Sequence, residues 1–68
     1  MLRISYNKLW KMLIDKNLKR KDLQEIAGIS SSSVAKLGKG DNISTDILLK
    51  ICEALSCKIE DILETVED

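Results

Sequence analysis

The stretch Leu18–Gly40, with the sequence LKRKDLQEIAGISSSSVAKLGKG, decides the fold that we predict. Its apolar residues recur at helical spacing in two short groups, Leu23, Ile26 and Ala27 and then Val34 and Leu37. Only residues 28–30 separate the two predicted helices. Gly28 can adopt the positive φ at which a helix ends, and Ser30 can cap the N-terminus of the next helix, which Gly38 and Gly40 close. Such a short connection containing a glycine is typical of a helix-turn-helix.

Upstream of this stretch, the sequence predicts one further helix. Its apolar stripe consists of Tyr6, Leu9, Trp10 and Leu13. Ser5 is the expected N-cap, and the helix is expected to end at Lys16–Asn17. Because an aromatic residue on a helical stripe is more often core than binding platform, we expect Trp10 to be substantially buried.

Downstream, the sequence predicts two more helices. Ser44 is the expected N-cap of a fourth helix, whose apolar stripe is Ile47, Leu48, Ile51, Cys52 and Leu55. A fifth, C-terminal helix is expected from the spacing of Ile59, Ile62, Leu63 and Val66. The predicted fold is therefore all-α, a compact bundle of five short helices that makes a single domain of residues 1–68.

Composition narrows the possible functions. The 68 residues are 44% hydrophobic and contain no proline, no histidine and two cysteines. Cys52 and Cys57 are spaced more widely than a Cys-x-x-Cys motif, so we interpret both as small apolar core residues and expect neither a metal nor a cofactor. Since no apolar run is long enough to cross a bilayer and no signal-peptide core is present, we expect a cytoplasmic protein without membrane contact.

The charges are distributed unevenly along a chain whose formal net charge is zero. Residues 1–40 hold nine basic and three acidic residues, a net charge of +6, and residues 41–68 have a net charge of −6. This asymmetry suggests one basic and one acidic face, with the basic residues around the third helix. The alternative is two solvated surfaces that differ in sign by chance.

Residues 18–40 resemble the helix-turn-helix of Cro/C1-type, phage-repressor-like regulators, the XRE family. The residues that carry the resemblance are Leu23, Ala27-Gly28, Ile29-Ser30, Val34, Leu37 and Gly40. Residues 48–55 and 59–63 resemble the family's fourth and fifth helices. The resemblance implies a lambda-repressor-like fold in which the third helix lies in the major groove of DNA.

In that fold the exposed face of the third helix would read the bases, and flanking residues would meet phosphates. The base-contacting candidates are Ser31, Ser32 and Lys36. The candidates for backbone contact are Arg20, Lys21, Ser30, Lys39 and Asn42. For Lys36 and Lys39 the alternative interpretation is ordinary solvated charge.

The sequence also departs from the family at two places. Lys19 and Arg20 stand where many members have Ser or Thr followed by Gln, so the side-chain cap of the second helix is expected to be lost. Leu13 and Gly38 stand where many members pair an Arg with a Glu. Because both partners change together, no buried charge is left unpaired, and we expect an apolar contact in place of the ion pair.

These observations predict a small regulator that binds DNA sequence-specifically and acts as a homodimer. Of the two regulatory roles, we expect repression. The residues expected at the dimer interface are Ile59, Leu63 and Val66. The alternative is a protein–protein interaction or dimerisation module, which the serine-rich third helix and the acidic second half would also suit. An enzyme and a small-molecule binder are disfavoured, because no catalytic histidine, glycine-rich phosphate loop or room for a large pocket is evident.

Overall fold

The computed structural model describes residues 1–68 and contains helices and a small sheet in the order β1, α1, α2, α3, α4, a 3₁₀ helix and β2. The four α-helices are α1 (Asn7–Asp15), α2 (Arg20–Ala27), α3 (Ser31–Lys39) and α4 (Thr45–Leu55). The 3₁₀ helix is Ile59–Asp61, and the strands are β1 (Leu2–Ser5) and β2 (Glu64–Glu67). No helix combines the length and the apolar character that crossing a membrane requires.

The prediction of a fifth helix is wrong. After the single turn of 3₁₀ helix the chain becomes extended, and β2 pairs antiparallel with β1 in the register Leu2↔Glu67, Arg3↔Val66, Ile4↔Thr65 and Ser5↔Glu64. The spacing of Ile59, Ile62 and Val66 fits a helix, but pairing with a strand some sixty residues earlier in the chain overrides that local preference. A signal for the sheet was present, because Leu2-Arg3-Ile4-Ser5 alternates apolar and polar residues.

The start of α1 also differs from the prediction. Ser5 is the last residue of β1 rather than the N-cap, and the residue at the N-cap position is Tyr6. The buried Ser5 hydroxyl nevertheless accepts a hydrogen bond from the backbone N–H of Asn7 at 3.3 Å. Ser5 therefore still satisfies one free amide of the first turn, although it lies one residue before the N-cap position. The predicted end of α1 is confirmed, with Lys16 at the C-cap.

The helix-turn-helix is confirmed as predicted. Gly28 ends α2 with φ +66°, in the left-handed region that a side chain would disfavour. Ile29 turns into the core, and the Ser30 hydroxyl caps α3 by accepting the backbone N–H of Ser33 at 3.2 Å. At the other end of α3 it is Gly40, with φ +76°, that ends the helix, whereas Gly38 lies inside it.

The N-terminus of α2 is stabilised by a side chain that the sequence analysis did not identify. Asp22 accepts a hydrogen bond from the backbone N–H of Lys19 at 2.9 Å. Its carboxylate also lies in the first turn, where the helix dipole favours negative charge. The first turn of α2 therefore keeps a side-chain hydrogen bond although Lys19 offers no acceptor.

The core draws one completely buried side chain from each α-helix and one from the segment before β2. These five residues are Leu9, Leu23, Leu37, Ile51 and Ile62. Ser44 caps α4 as predicted, accepting the N–H of Ile47 at 3.3 Å, and Cys52 lies in the core. Each helix is thus fixed to the same core, which leaves the outer face of α3 rigidly presented.

Candidate nucleic-acid interface

The outer face of α3 is exposed because its inner face is anchored. Val34 and Leu37 are buried in the core, and Ile29 holds the entry to the helix. On the opposite side the structure exposes the predicted base-contacting residues Ser31, Ser32 and Lys36. All three side chains are therefore accessible to a partner, as reading a DNA groove requires.

The serines at the start of α3 form a hydroxyl cluster centred on Ser30. The Ser30 Oγ lies 2.9 Å from the Ser32 Oγ and 3.0 Å from the Ser33 Oγ, in addition to capping the helix. Ser31 stands outside this cluster. The hydroxyl of Ser32 is consequently oriented by Ser30, while that of Ser31 is free to take any partner that approaches.

The residues predicted to contact the DNA backbone are all exposed, and they occupy three places. Arg20 and Lys21 begin α2, Ser30 caps α3, and Lys39 and Asn42 lie at and after the end of α3. The structure brings the Arg20 guanidinium next to Gly38, close to the end of α3. It shows no hydrogen bond between Lys21 or Asn42 and other members of the set.

The position of Arg20 depends on Trp10. The guanidinium carbon of Arg20 lies 4.3 Å from the centroid of the Trp10 ring, within the distance of a cation–π contact. Trp10 is therefore only partly buried: it packs against the core and carries Arg20 on it. The expectation that Trp10 is substantially buried is corrected accordingly: its ring is partly buried, and part of it is covered by the charged side chain of Arg20.

Gly38 makes room for the same guanidinium. A Cβ atom at position 38 would lie 2.8 Å from Nη1 of Arg20, closer than van der Waals contact allows. Leu13, at the other position where the family's ion pair is absent, is buried in the core. The apolar contact expected between these two positions is therefore wrong, because the space beside Gly38 is occupied by the charged end of Arg20. Sequence reasoning missed this role of Trp10, which only the three-dimensional structure brings next to Arg20.

The loop after α3 is tied to the start of α1. The hydroxyl of the buried Tyr6 donates a hydrogen bond to the carbonyl oxygen of Asp41 at 2.8 Å. Burial and the nearby Asp41 carboxylate raise the pKa of Tyr6, so the phenol remains a donor. This bond fixes the backbone immediately before Asn42.

The structure does not contain a metal-binding cluster, and the cysteines remain thiols. No three His, Cys, Asp or Glu side chains are grouped so that they could hold a metal ion. Burial, followed by the neighbouring Cys52, raises the pKa of Cys57 to about 11. The thiolate, which is the reactive form, is therefore scarce at neutral pH.

Comparison with known proteins adds to this geometry. A family model described as a Cro/C1-type HTH DNA-binding domain matches residues 8–68. The crystal structure of transcriptional regulator VanUg is similar, with 51% sequence identity and a TM-score of 0.94, over 98% of this chain and 89% of that chain. A comparison with curated proteins gives no match.

Proposed function

Because the chain belongs to the Cro/C1-type helix-turn-helix DNA-binding domain family, we propose that it regulates transcription by sequence-specific binding of duplex DNA, with α3 in the major groove. The observation that carries the proposal is the exposed face of α3, held rigid by Val34 and Leu37 and adjoined by Arg20. The similarity to a protein named as a transcriptional regulator supports it. Residues 1–68 act in this proposal as one domain.

The residues divide into those that read bases and those that position the protein. Lys36 donates to guanine O6 or N7, and Ser31 and Ser32 make shorter, less selective contacts with base edges. The phosphate contacts come from Arg20, Lys21, Ser30, Lys39 and Asn42. Arg20 is the most preorganised of these, because Trp10 already restrains its guanidinium.

Two copies are required for a useful degree of specificity. One α3 offers a single long base-reading side chain, Lys36, and two short hydroxyls. A symmetric homodimer would place two recognition helices about 34 Å apart and read two half-sites one helical turn apart. Its proposed interface includes Ile59, whose side chain is 38% exposed, together with the partly buried Leu63 and Val66. Such a dimer represses by covering its operator.

The test is selection of binding sites from random duplexes by the full chain, followed by titrations at several salt concentrations. We expect an enriched sequence with two related halves, a complex of two chains per duplex in sedimentation, and affinity that falls steeply with salt. An absence of enrichment together with salt-independent binding would refute DNA recognition and favour the interaction-module alternative. A one-to-one complex on the enriched site would refute the dimer.

A further inference from the structure

A groove of about 220 Å³ runs beside the helix-turn-helix, between the N-terminal strand and the end of α3. One wall is formed by β1 and the start of α1, including Arg3 and Asn7, and the other by the last residues of α3, including Lys39. Trp10 also lines the groove. It is open to solvent and lies outside the surface of Ser31, Ser32 and Lys36 on which the proposed base reading depends.

The two charged side chains that line this groove are both basic. Arg3 and Lys39 line it, and no aspartate or glutamate does. Arg20 borders it, because its guanidinium lies on Trp10 and over Gly38, two residues of the groove wall. Three cations, from β1, α2 and α3, therefore lie at the groove, and one of them, Arg3, is paired with Asp68.

We propose that this groove binds a phosphodiester group of the DNA backbone, with Arg3 as its principal ligand. A guanidinium can bind two phosphate oxygens at once, and the Lys39 ammonium and the Asn7 amide supply further donors. The proposal rests on the proposed function and extends the DNA contact from the helix-turn-helix to the first strand of the chain. No residue of β1 is among the contacts that the family resemblance implies.

An acidic residue holds Arg3 in the free protein. Nε of Arg3 lies 2.5 Å from Oδ1 of Asp68, and both side chains are more than half exposed. The exposed pair is weak and screened by salt, so a phosphate can displace the carboxylate. Asp68 therefore competes with DNA for Arg3, and its neutralisation strengthens DNA binding.

The experiment compares two variants of the full chain that lose the same charge. In Arg3→Gln the groove loses its principal cation. In Lys8→Gln the change falls on a lysine whose ammonium donates to the carbonyl of Glu60 at 3.1 Å, away from the groove. Affinity for the selected duplex is measured between 50 and 200 mM salt, and thermal unfolding confirms that both variants are folded.

We expect Arg3→Gln to make the slope of log affinity against log salt concentration shallower by about 0.9 per chain. Over this salt range the wild type should therefore lose roughly three- to fourfold more affinity than the variant. Lys8→Gln should keep the wild-type slope, and Asp68→Asn should bind more tightly than the wild type at the lowest salt. Equal slopes for Arg3→Gln and Lys8→Gln would overturn the proposal. If that occurred while Lys36→Ala still lost base preference, the groove assignment would fail and the proposed function would stand.

A final arm separates a backbone phosphate from a free anion. The single tryptophan, Trp10, lines the groove but also contacts Arg20, so binding in the groove is reported by the part of its fluorescence change that Arg3→Gln removes. We expect duplex DNA to change the fluorescence of the wild type and inorganic phosphate, at matched ionic strength, to leave it unchanged. Saturable binding of inorganic phosphate that Arg3→Gln abolishes would assign the groove to a free anion and overturn the assignment to DNA.

Discussion

Arg20 lies on the indole of Trp10, with its guanidinium carbon 4.3 Å from the ring centroid, and this contact joins the first turn of α2 to α1. A cation–π contact at a partly exposed site contributes about 0.5–1 kcal/mol. A double-mutant cycle of Trp10→Leu and Arg20→Gln, measured by urea unfolding, should therefore give a coupling energy of that size. A coupling energy of zero would show that the two side chains only lie near each other.

Gly38→Ala should stabilise the domain less in the wild type than in the Arg20→Gln background. In the wild type, the added methyl displaces the Arg20 guanidinium, and the loss of its contact offsets the gain of about 0.5–1 kcal/mol from replacing a helical glycine. In Arg20→Gln that opposing loss is absent, so Gly38→Ala should stabilise the domain by about 0.5–1 kcal/mol. Chemical unfolding of the four proteins tests this, and identical effects in both backgrounds would contradict it.

Ser30→Ala should destabilise the domain by about 0.5–2 kcal/mol, because it removes the cap of α3. Ser31→Ala is the matched control, because it removes the hydroxyl of the next serine, which makes no hydrogen bond. It should change the unfolding free energy by less than about 0.5 kcal/mol. Thermal and urea unfolding measure both. Equal losses for the two serines would contradict the assignment of Ser30 as the cap.

Lys36→Ala and Lys39→Ala should alter DNA binding in different ways. Lys36→Ala should relax preference at one base pair of each half-site, at a cost of roughly 1–3 kcal/mol there. Lys39→Ala should weaken binding to all duplexes alike and make the salt slope shallower by about 0.9 per chain. Competition titrations with single-base-substituted duplexes distinguish the two. A uniform loss for Lys36→Ala would make Lys36 a phosphate contact.

Stability should fall at alkaline pH because of Cys57. The pKa of this thiol is raised to about 11 in the folded protein, so the thiol form is favoured over the thiolate there. The resulting stabilisation is complete below the pKa of the unfolded chain and is lost as pH rises through the folded pKa. The free energy of unfolding should therefore decline towards pH 11, and the decline should be smaller in Cys57→Ala, where only the raised pKa of Tyr6 acts in the same direction. An unchanged decline in Cys57→Ala would contradict the assignment.

The parts of the fold that local chemistry determines could be predicted from the sequence. Gly28, Ser30 and Ser44 each act within one helical turn of their own position, so the end of α2 and the starts of α3 and α4 follow from residue type and spacing. β2 could not be placed in this way, because it forms only when β1 is there to pair with it. The apolar spacing of Ile59, Ile62, Leu63 and Val66 predicts a helix instead.

The candidate site shows the same division. The exposure of Ser31, Ser32 and Lys36 follows from the periodicity of α3, which fixes the inner face at Val34 and Leu37. The contact of Arg20 with Trp10 and its approach to Gly38 depend on how three helices meet, which no local pattern specifies. The absence of the family's usual Arg–Glu pair points to the position of Gly38. It does not indicate that the Arg20 guanidinium fills the space there.

The pairing of β1 with β2 makes the backbone almost a closed ring. The amide of Asp68 donates to the carbonyl of Met1 at 3.1 Å, so in a segment of residues 1–68 a short glycine linker could join residue 68 to residue 1 with little movement of either strand. Cyclisation would lower the conformational entropy of the unfolded segment more than that of the folded one, so the cyclised segment would be more resistant to unfolding. The same adjacency allows the order of the helices to be permuted, with new termini opened in an exposed loop while the recognition helix stays in place.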